Sequence, residues 1–293
     1  MNGILIINKP CYKTSHDMVN FVRRLTGIKK VGHTGTLDPM ATGVLPVCIG
    51  NATKACDLIM SQKKAYRVEM MLGMTTDTLD AEGEILTDQP VLCSEEEIKK
   101  TIYGFIGEVW QIPPMYSAIK KDGKKLYELA REGKVVERQK RKIEIYDINI
   151  EKIDKQKDTV SFLVECSKGT YVRTLCEDIG IKLGCGAFMS RLERVRSGDF
   201  TIENAITTEE LIKIFEEDRL CDYLISVDEL FLKYPKVIVN QRQKEFIING
   251  VRVRYFNLCE GQTYRVYDME DNFLCLSKCI DERLTLEKAF WKQ

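Results

Sequence analysis

Hydrophobic side chains recur along this 293-residue chain with two periods, and each period predicts a different kind of element. After Thr14–Asp17, which has the spacing of a capping box, Met18, Phe21, Val22 and Leu25 fall three and four apart, and Gly27 follows. That is a helix. Ser94 with Glu97 introduces a second, carrying Ile98, Ile102 and Phe105. A third runs from about Thr170 with Val172, Leu175, Ile179 and Leu183 on its stripe. Thr207 with Glu210 opens a fourth, bearing Leu211, Ile214 and Phe215. Elsewhere the period is two. Tyr66, Val68, Met70 and Leu72 share one face, with Arg67 and Glu69 on the other. Val160–Cys166 reads as another strand, turning at Lys168-Gly169. Beyond Tyr234-Pro235 only short strand-like runs remain: Val237–Val239, Val251–Phe256, Gln262–Met269, Phe273–Ser277 and Arg283–Leu286. Helices mixed with strands, followed by a β-rich end, predict an α+β fold with two parts, residues 1–233 and 234–293.

A hydrophobic content of 44% with 30% charge fits an ordinary soluble protein with a sizeable core. The eleven cysteines form no CxxC, and Cys275 and Cys279 have no histidine near them. Reduced thiols in a cytoplasmic protein are therefore expected, with no zinc site. The apolar run Ile4–Ile7 is too short for a signal peptide, and no stretch approaches a membrane span. Net charge is zero, but it is polarised. Residues 119–142 hold ten basic side chains against four acids, among them Lys120, Lys124, Lys125, Lys140, Arg141 and Lys142. Residues 203–229 hold nine acids against two bases. The chain can thus present one basic face to a polyanion. The basic segment reads as an insertion with a short helix (Leu126, Leu129, Ala130) ending at Gly133.

The stretch Gly32-His33-Thr34-Gly35-Thr36-Leu37-Asp38-Pro39-Met40-Ala41-Thr42-Gly43-Val44-Leu45-Pro46 concentrates the candidate chemistry. It holds three glycines, two prolines, one of only two histidines and a single carboxylate, Asp38. Such a loop can fix one acid in one pose for nucleophilic or acid–base work. Read alone, Asp-Pro in a glycine-rich loop is more often a turn that caps the backbone. Arg173 adds a second signal. It falls in the predicted first turn of a helix, where the macrodipole disfavours a cation, so either an anion compensates it or a surface arginine tolerates the penalty.

The Gly32–Pro46 string closely resembles the signature of the bacterial tRNA pseudouridine synthase B family. Further blocks occur in that family's order: Asn8-Lys9-Pro10 with Thr14-Ser15, Lys64–Val68, Thr76–Gly83, Pro113–Lys120 and Ser167–Thr174. They cover about the first two hundred residues. Tyr12 stands where the family's first motif is expected to carry glycine. The resemblance implies a catalytic domain with a mixed, largely antiparallel sheet flanked by helices, and a C-terminal RNA-binding domain of PUA type. It implies an isomerase that converts uridine 55 in the T arm of tRNA to pseudouridine. No redox cofactor, nucleotide or metal is required, and the sequence holds no P-loop or dinucleotide fingerprint.

In this resemblance Asp38 is the nucleophile, Arg173 its ionic partner, and Tyr66 the residue that stacks on the base and removes a proton. His33 contacts substrate as the base is extruded, and Tyr171 and Leu192 line the pocket. Lys9 and Pro10 buttress the catalytic loop. By residues alone, Tyr66 reads as a core aromatic on a half-buried strand and His33 as an incidental loop histidine. Asp77 and Asp80 are read as turn caps that shape the RNA backbone. The basic insertion folds over the tRNA arm, and the protein acts as a monomer without a protein partner. The nearest rivals are an RNA-guided synthase acting on ribosomal RNA and a non-catalytic tRNA-binding or folding protein.

Overall fold

Thr14 opens the first helix, Ser15–Thr26, and does so reciprocally. Its hydroxyl accepts from the Asp17 N–H while the Asp17 carboxylate accepts from the Thr14 N–H at 2.8 Å. Gly27 closes the helix at φ 70°, a left-handed cap that a residue without Cβ adopts at no steric cost. Ser94 and Thr207 cap Glu95–Tyr103 and Thr208–Glu216 by the same box. The computed structural model in which these elements are seen describes residues 1–117, 119–121 and 123–291. Ala118 of the Pro113–Lys120 block and Asp122 of the basic segment lie outside the described residues.

The main sheet has nine strands. Its continuous path runs Gly3–Lys9, Thr42–Ile49, Ala187–Ser197, Lys64–Leu72, Thr159–Cys166, Arg141–Asp154, Gly107–Gln111. Every pairing is antiparallel except Thr42–Ile49 with Ala187–Ser197, where Thr42 faces Glu193 and Gly43 faces Arg194. This is the mixed, largely antiparallel sheet expected. Alternation along Gly3–Lys9 separates two cores. Leu5 and Ile7 pack with Val19, Ile98, Leu175 and Leu211, from the four helices on that face. Ile4 and Ile6 point the other way, toward Ala52, Ile59, Val227, Phe231, Leu276 and Phe290.

Leu276 belongs to a second sheet of five strands, and Phe290 directly follows one of them, Arg283–Ala289. Its order is Lys236–Ile238, Thr263–Tyr267, Phe273–Ile280, Arg283–Ala289, Val253–Arg254. It has its own core, including Val239, Ile247, Val266 and Leu284. A cluster of Phe231, Phe273 and Phe290, with ring centroids 5.2–6.1 Å apart, joins the two sheets. Tyr267 adds a polar tie by donating its hydroxyl to Asp228 Oδ2 at 2.6 Å.

Several expectations shift. Val251–Phe256 pairs only at Val253–Arg254, and a helix, Gln241–Ile248, capped by Asn240, stands within a stretch whose pattern predicts only strands. The third helix begins at Val172 rather than Thr170, because Tyr171 keeps extended backbone as its N-cap. Lys120–Lys121 and Lys124–Lys125 form a small ribbon before the Leu126–Arg131 helix. Arg141 and Lys142 do not belong to that insertion: they open the Arg141–Asp154 strand and pair with Gln111 and Trp110. No helix among the described residues is long and apolar enough to cross a membrane.

Candidate active site

Asp38 sits on the connection between strands Val31–His33 and Thr42–Ile49, and neighbouring segments fix that connection from several sides. Ser15 Oγ accepts from the Leu37 N–H at 2.8 Å. The Tyr12 N–H donates to the Pro39 carbonyl at 2.8 Å. Lys9, fully buried, donates through Nζ to the carbonyls of Pro10 (2.8 Å), Lys13 (2.5 Å) and Pro39 (3.1 Å). Its ammonium therefore ties the Lys9–Ser15 loop to the residue after Asp38. Burial lowers its pKa to about 8. Tyr12 adopts φ 61°, the left-handed region that explains why glycine is expected there. The conformation costs a tyrosine roughly 1–2 kcal/mol.

Arg173 occupies the second position of the Val172–Leu183 helix, and its guanidinium is almost completely enclosed. Nε lies 3.0 Å from Asp38 Oδ2, and Nη2 lies 3.2 Å from Asp38 Oδ1. Nη1 meets a second carboxylate, Asp80 Oδ2, at 3.2 Å. The carbonyls of Tyr116 (2.8 Å) and Thr78 (3.3 Å) take further donors. The anion called for by the helix dipole is thus a pair of carboxylates.

Asp80 is the turn cap that its sequence context predicts: its Oδ1 accepts from Thr78 Oγ1 at 2.6 Å and from the Glu82 N–H at 3.1 Å. The sequence reading misses its other oxygen, which reaches Arg173. Asp77 caps only, accepting from the Glu84 N–H at 2.8 Å. Burial raises the Asp38 pKa; Arg173 opposes the rise and Asp80 adds to it. Glu82 is likewise raised, by burial first and then by Asp80 and Asp38.

Two chambers meet at Asp38. The inner one, about 300 Å³, is lined by Tyr66, Tyr171, Leu192 and Arg194 together with Asp38 and Arg173. The outer one, about 860 Å³, shares Asp38 and Arg173 and is lined by His33, Asp80, Lys125 and Arg131. Tyr66 is buried, and burial raises its phenol pKa. Tyr171 is placed by Gln111, whose side-chain amide accepts from the Tyr171 N–H (3.1 Å) and donates to its carbonyl (3.3 Å). His33 lies in the outer chamber, not the inner one. Its Nδ1 accepts from the Gly35 N–H at 3.4 Å, and burial lowers its pKa, keeping the imidazole neutral near pH 7.

The basic side chains divide. Lys120 and Arg141 line a separate cleft of about 350 Å³, beside Lys121 and Arg138. Lys140 is exposed. Lys124 pairs with Glu132 at 3.3 Å, and Lys142 with Glu108 at 2.5 Å. Two cations of the inner chamber, Lys64 and Arg194, escape the sequence reading. Lys64 donates to the carbonyls of Met60 (2.7 Å) and Gln62 (2.6 Å), and burial lowers its pKa to about 8. Arg194 follows Leu192 by two residues on a strand, so assigning Leu192 to the pocket already places Arg194 on the same face. Among the described residues, no cluster of three or more His, Cys, Asp or Glu side chains is placed to hold a metal ion.

Residues 23–172 match the TruB family pseudouridylate synthase (N terminal domain), and residues 173–232 match the tRNA pseudouridylate synthase B C-terminal domain. The seam between the two matches falls at the start of the Val172–Leu183 helix, and the five-stranded sheet lies beyond both. The chain is 49% identical to tRNA pseudouridine synthase B of Clostridium novyi (strain NT) over 98% of its own length and 99% of the relative's. It is 48% identical to the protein of that name from Clostridium acetobutylicum, over the same shares. In fold it is similar to a chain from the crystal structure of a Cbf5-Nop10-Gar1 complex. There the TM-score is 0.72 at 26% identity, covering 99% of this chain and 85% of that one.

Proposed function

The chain belongs to the TruB family of pseudouridylate synthases, and from that premise we propose that it isomerises uridine 55 in the T arm of tRNA. The observation that carries this reading is Asp38, held bidentately by Nε and Nη2 of Arg173 at the junction of a small inner chamber and a wide outer groove. The RNA arm lies in the groove, and the target uridine is flipped out of its stack into the inner chamber. Unstacking costs a few kcal/mol, offset by contact with Tyr66 and by backbone contacts outside.

Arg173 keeps Asp38 ionised against the burial that opposes its charge, and fixes the carboxylate plane. Asp38 acts as the nucleophile while the bond from C1′ to N1 breaks, the base turns, and C1′ bonds to C5. One proton leaves C5 and one is gained at N1, so the formula is unchanged and no cofactor is consumed. Tyr66 is the group that handles the C5 proton. His33 meets the arm in the outer chamber, and Tyr171 and Leu192 shape the inner wall. Residues 1–233 form the catalytic part. Residues 234–293 act as an RNA-binding module of PUA type, and the basic insertion closes over the tRNA backbone through Lys120, Lys124, Lys125 and Lys140, with Arg141 and Lys142 flanking it on the sheet. The protein works as a cytoplasmic monomer without a guide.

The test is incubation of the purified protein with an unmodified T-arm stem-loop in the presence of a chelator, followed by chemical mapping. Pseudouridine is expected at one T-loop uridine, and Asp38→Asn is expected to abolish it with RNA affinity retained. Product that requires an added guide RNA would favour the guided reading. Binding without any product would favour a folding protein.

A further inference from the structure

Arg194 is the most deeply enclosed cation of the inner chamber, 1% exposed, and it is compensated differently from Arg173. Arg173 has two carboxylates. Arg194 donates to neutral carbonyls, through Nε to Val44 at 2.7 Å and through Nη2 to Gly35 at 3.2 Å. Among the described residues no carboxylate pairs with it. Enclosing an unpaired guanidinium is costly in a folded protein, because burial takes its charge out of water with no counter-charge to offset the loss. The backbone is also shaped to hold it. Gly43 faces Arg194 across the one parallel pairing of the sheet with φ 102°, and a Cβ there would lie 2.3 Å from the Arg194 carbonyl oxygen. A side chain at residue 43 would push the two strands apart.

The register of the sheet says what the charge faces. In the antiparallel pairing of Ala187–Ser197 with Lys64–Leu72, Arg194 stands directly opposite Tyr66. Directly opposed residues project to the same face with Cβ atoms about 4.5–5.5 Å apart. Both side chains line the inner chamber.

We propose that Arg194 is a positioning residue for proton transfer at Tyr66, holding the negative charge on the phenolic oxygen during the exchange of a C5 proton for an N1 proton. The inference rests on the role of Tyr66 in the proposed isomerisation. The balance closes within the base and the tyrosine. The phenol gives its proton to N1 and becomes a phenolate. The phenolate takes the proton from C5, the electrons of that C–H bond restore the C5–C6 double bond, and Tyr66 ends as it began.

Burial is the largest cause that raises the Tyr66 pKa, and Arg194 is foremost among the groups that pull it down. The other charged or titratable groups that face it are Asp38 and Cys166, which push it up. Lys64, Lys168 and Arg173 also line the chamber. Arg173 is already neutralised by carboxylates, and the Lys64 ammonium is turned onto the carbonyls of Met60 and Gln62. Lys168 is exposed, and of the two buried cations that donate to carbonyls it is Arg194 that stands directly opposite Tyr66, so Arg194 is the cation placed to offset a phenolate.

The experiment measures single-turnover rates at saturating T-arm RNA for the native protein, Tyr66→Phe, Arg194→Gln and Arg194→Lys. Each Arg194 form is also made with Tyr66→3,5-difluorotyrosine, whose phenol is more acidic. Arg194→Gln should slow turnover about a hundredfold, within the usual range for general acid–base assistance, with RNA affinity unchanged. The acidic phenol should recover about tenfold of that loss, and change the native rate much less. A purely structural arginine would lose rate through disorder, which phenol acidity cannot restore. A loss below threefold, or no recovery, overturns the proposal. If Arg194→Gln does not fold, Arg194→Lys carries the same comparison, with a smaller loss that the acidic phenol recovers. Full activity in Tyr66→Phe would overturn the underlying role of Tyr66. An inactive Tyr66→Phe without recovery in the Arg194 variants would overturn only the role of Arg194.

Discussion

Arg173 meets Asp38 as a fork meets a plane: Nε lies 3.0 Å from one carboxylate oxygen and Nη2 3.2 Å from the other. The remaining nitrogen, Nη1, is taken by Asp80 at 3.2 Å. One guanidinium therefore serves two carboxylates from different segments and fixes their spacing. Buried pairs of this kind add little net stability, but breaking one partner leaves a costly uncompensated charge. Their use here is orientation of Asp38 in a site whose burial works against its charge.

Arg173→Lys should therefore be severe. A point charge cannot span both oxygens of Asp38 and also reach Asp80. A displacement of Asp38 by about 1 Å costs on the order of a hundredfold in rate. With Arg173 removed, burial is less opposed and the Asp38 pKa rises further, so the acid limb of the rate profile should move to higher pH. Arg173→Ala/Asp38→Ala should be little worse than either single change, because the two act as a unit. Multiplicative losses, or an acid limb that stays in place, would refute the pairing as a functional one.

Lys9 predicts a stability that improves with pH. Burial holds its pKa at about 8, against 10.5 for an ordinary lysine. Between those values the unfolded chain binds more protons than the folded chain, so the stability contributed at this site rises with pH and is lowest below about 8. Relative to Lys9→Met, the native protein should gain as much as about 3 kcal/mol between neutral and strongly alkaline pH. Urea unfolding of both proteins across that range measures the difference, and titration of the other groups cancels. A gap that does not change, or that moves the other way, would show that Lys9 is not held charged in a desolvated site.

The local signals of this fold are legible where one segment decides its own state. The capping pairs Thr14–Asp17, Ser94–Glu97 and Thr207–Glu210 place three helices, and alternation places the Tyr66 strand. The Asn240 cap is an equally local signal, but it is lost among the short strand-like runs around it. What no window can show is partnership at long range. Asp80 looks like a turn residue because one oxygen does cap the turn; its link to Arg173 spans 93 residues. Arg194 looks like one charge among several, since burial at that position depends on which strand lies opposite. Asp38 is legible through its loop, but the need for a compensating anion at Arg173 gives only half of the answer.

The basic segment carries the last prediction, and its geometry changes the expected size of the effect. For RNA, each phosphate left without its cation lowers the log–log salt slope by roughly 0.7–0.9. If Lys140, Arg141 and Lys142 gripped phosphates equally, replacing all three by Ala would lower the slope by about 2–3. They are not equal. Lys142 already pairs with Glu108 at 2.5 Å, and must release that carboxylate to reach RNA. Lys140 and Arg141 are exposed, and Arg141 lines the basic cleft with Lys120. With two contacts rather than three, the triple replacement should therefore lower the slope by about 1.5, and Lys142→Ala alone should leave it nearly unchanged. Turnover at saturating tRNA should change little, because these groups add binding that is uniform between ground and transition states. Titration of labelled T-arm RNA at four salt concentrations separates the outcomes. A slope unaltered in the triple variant would remove this stretch from the RNA interface. A large fall in turnover with unchanged affinity would mean that it orders the catalytic chamber instead.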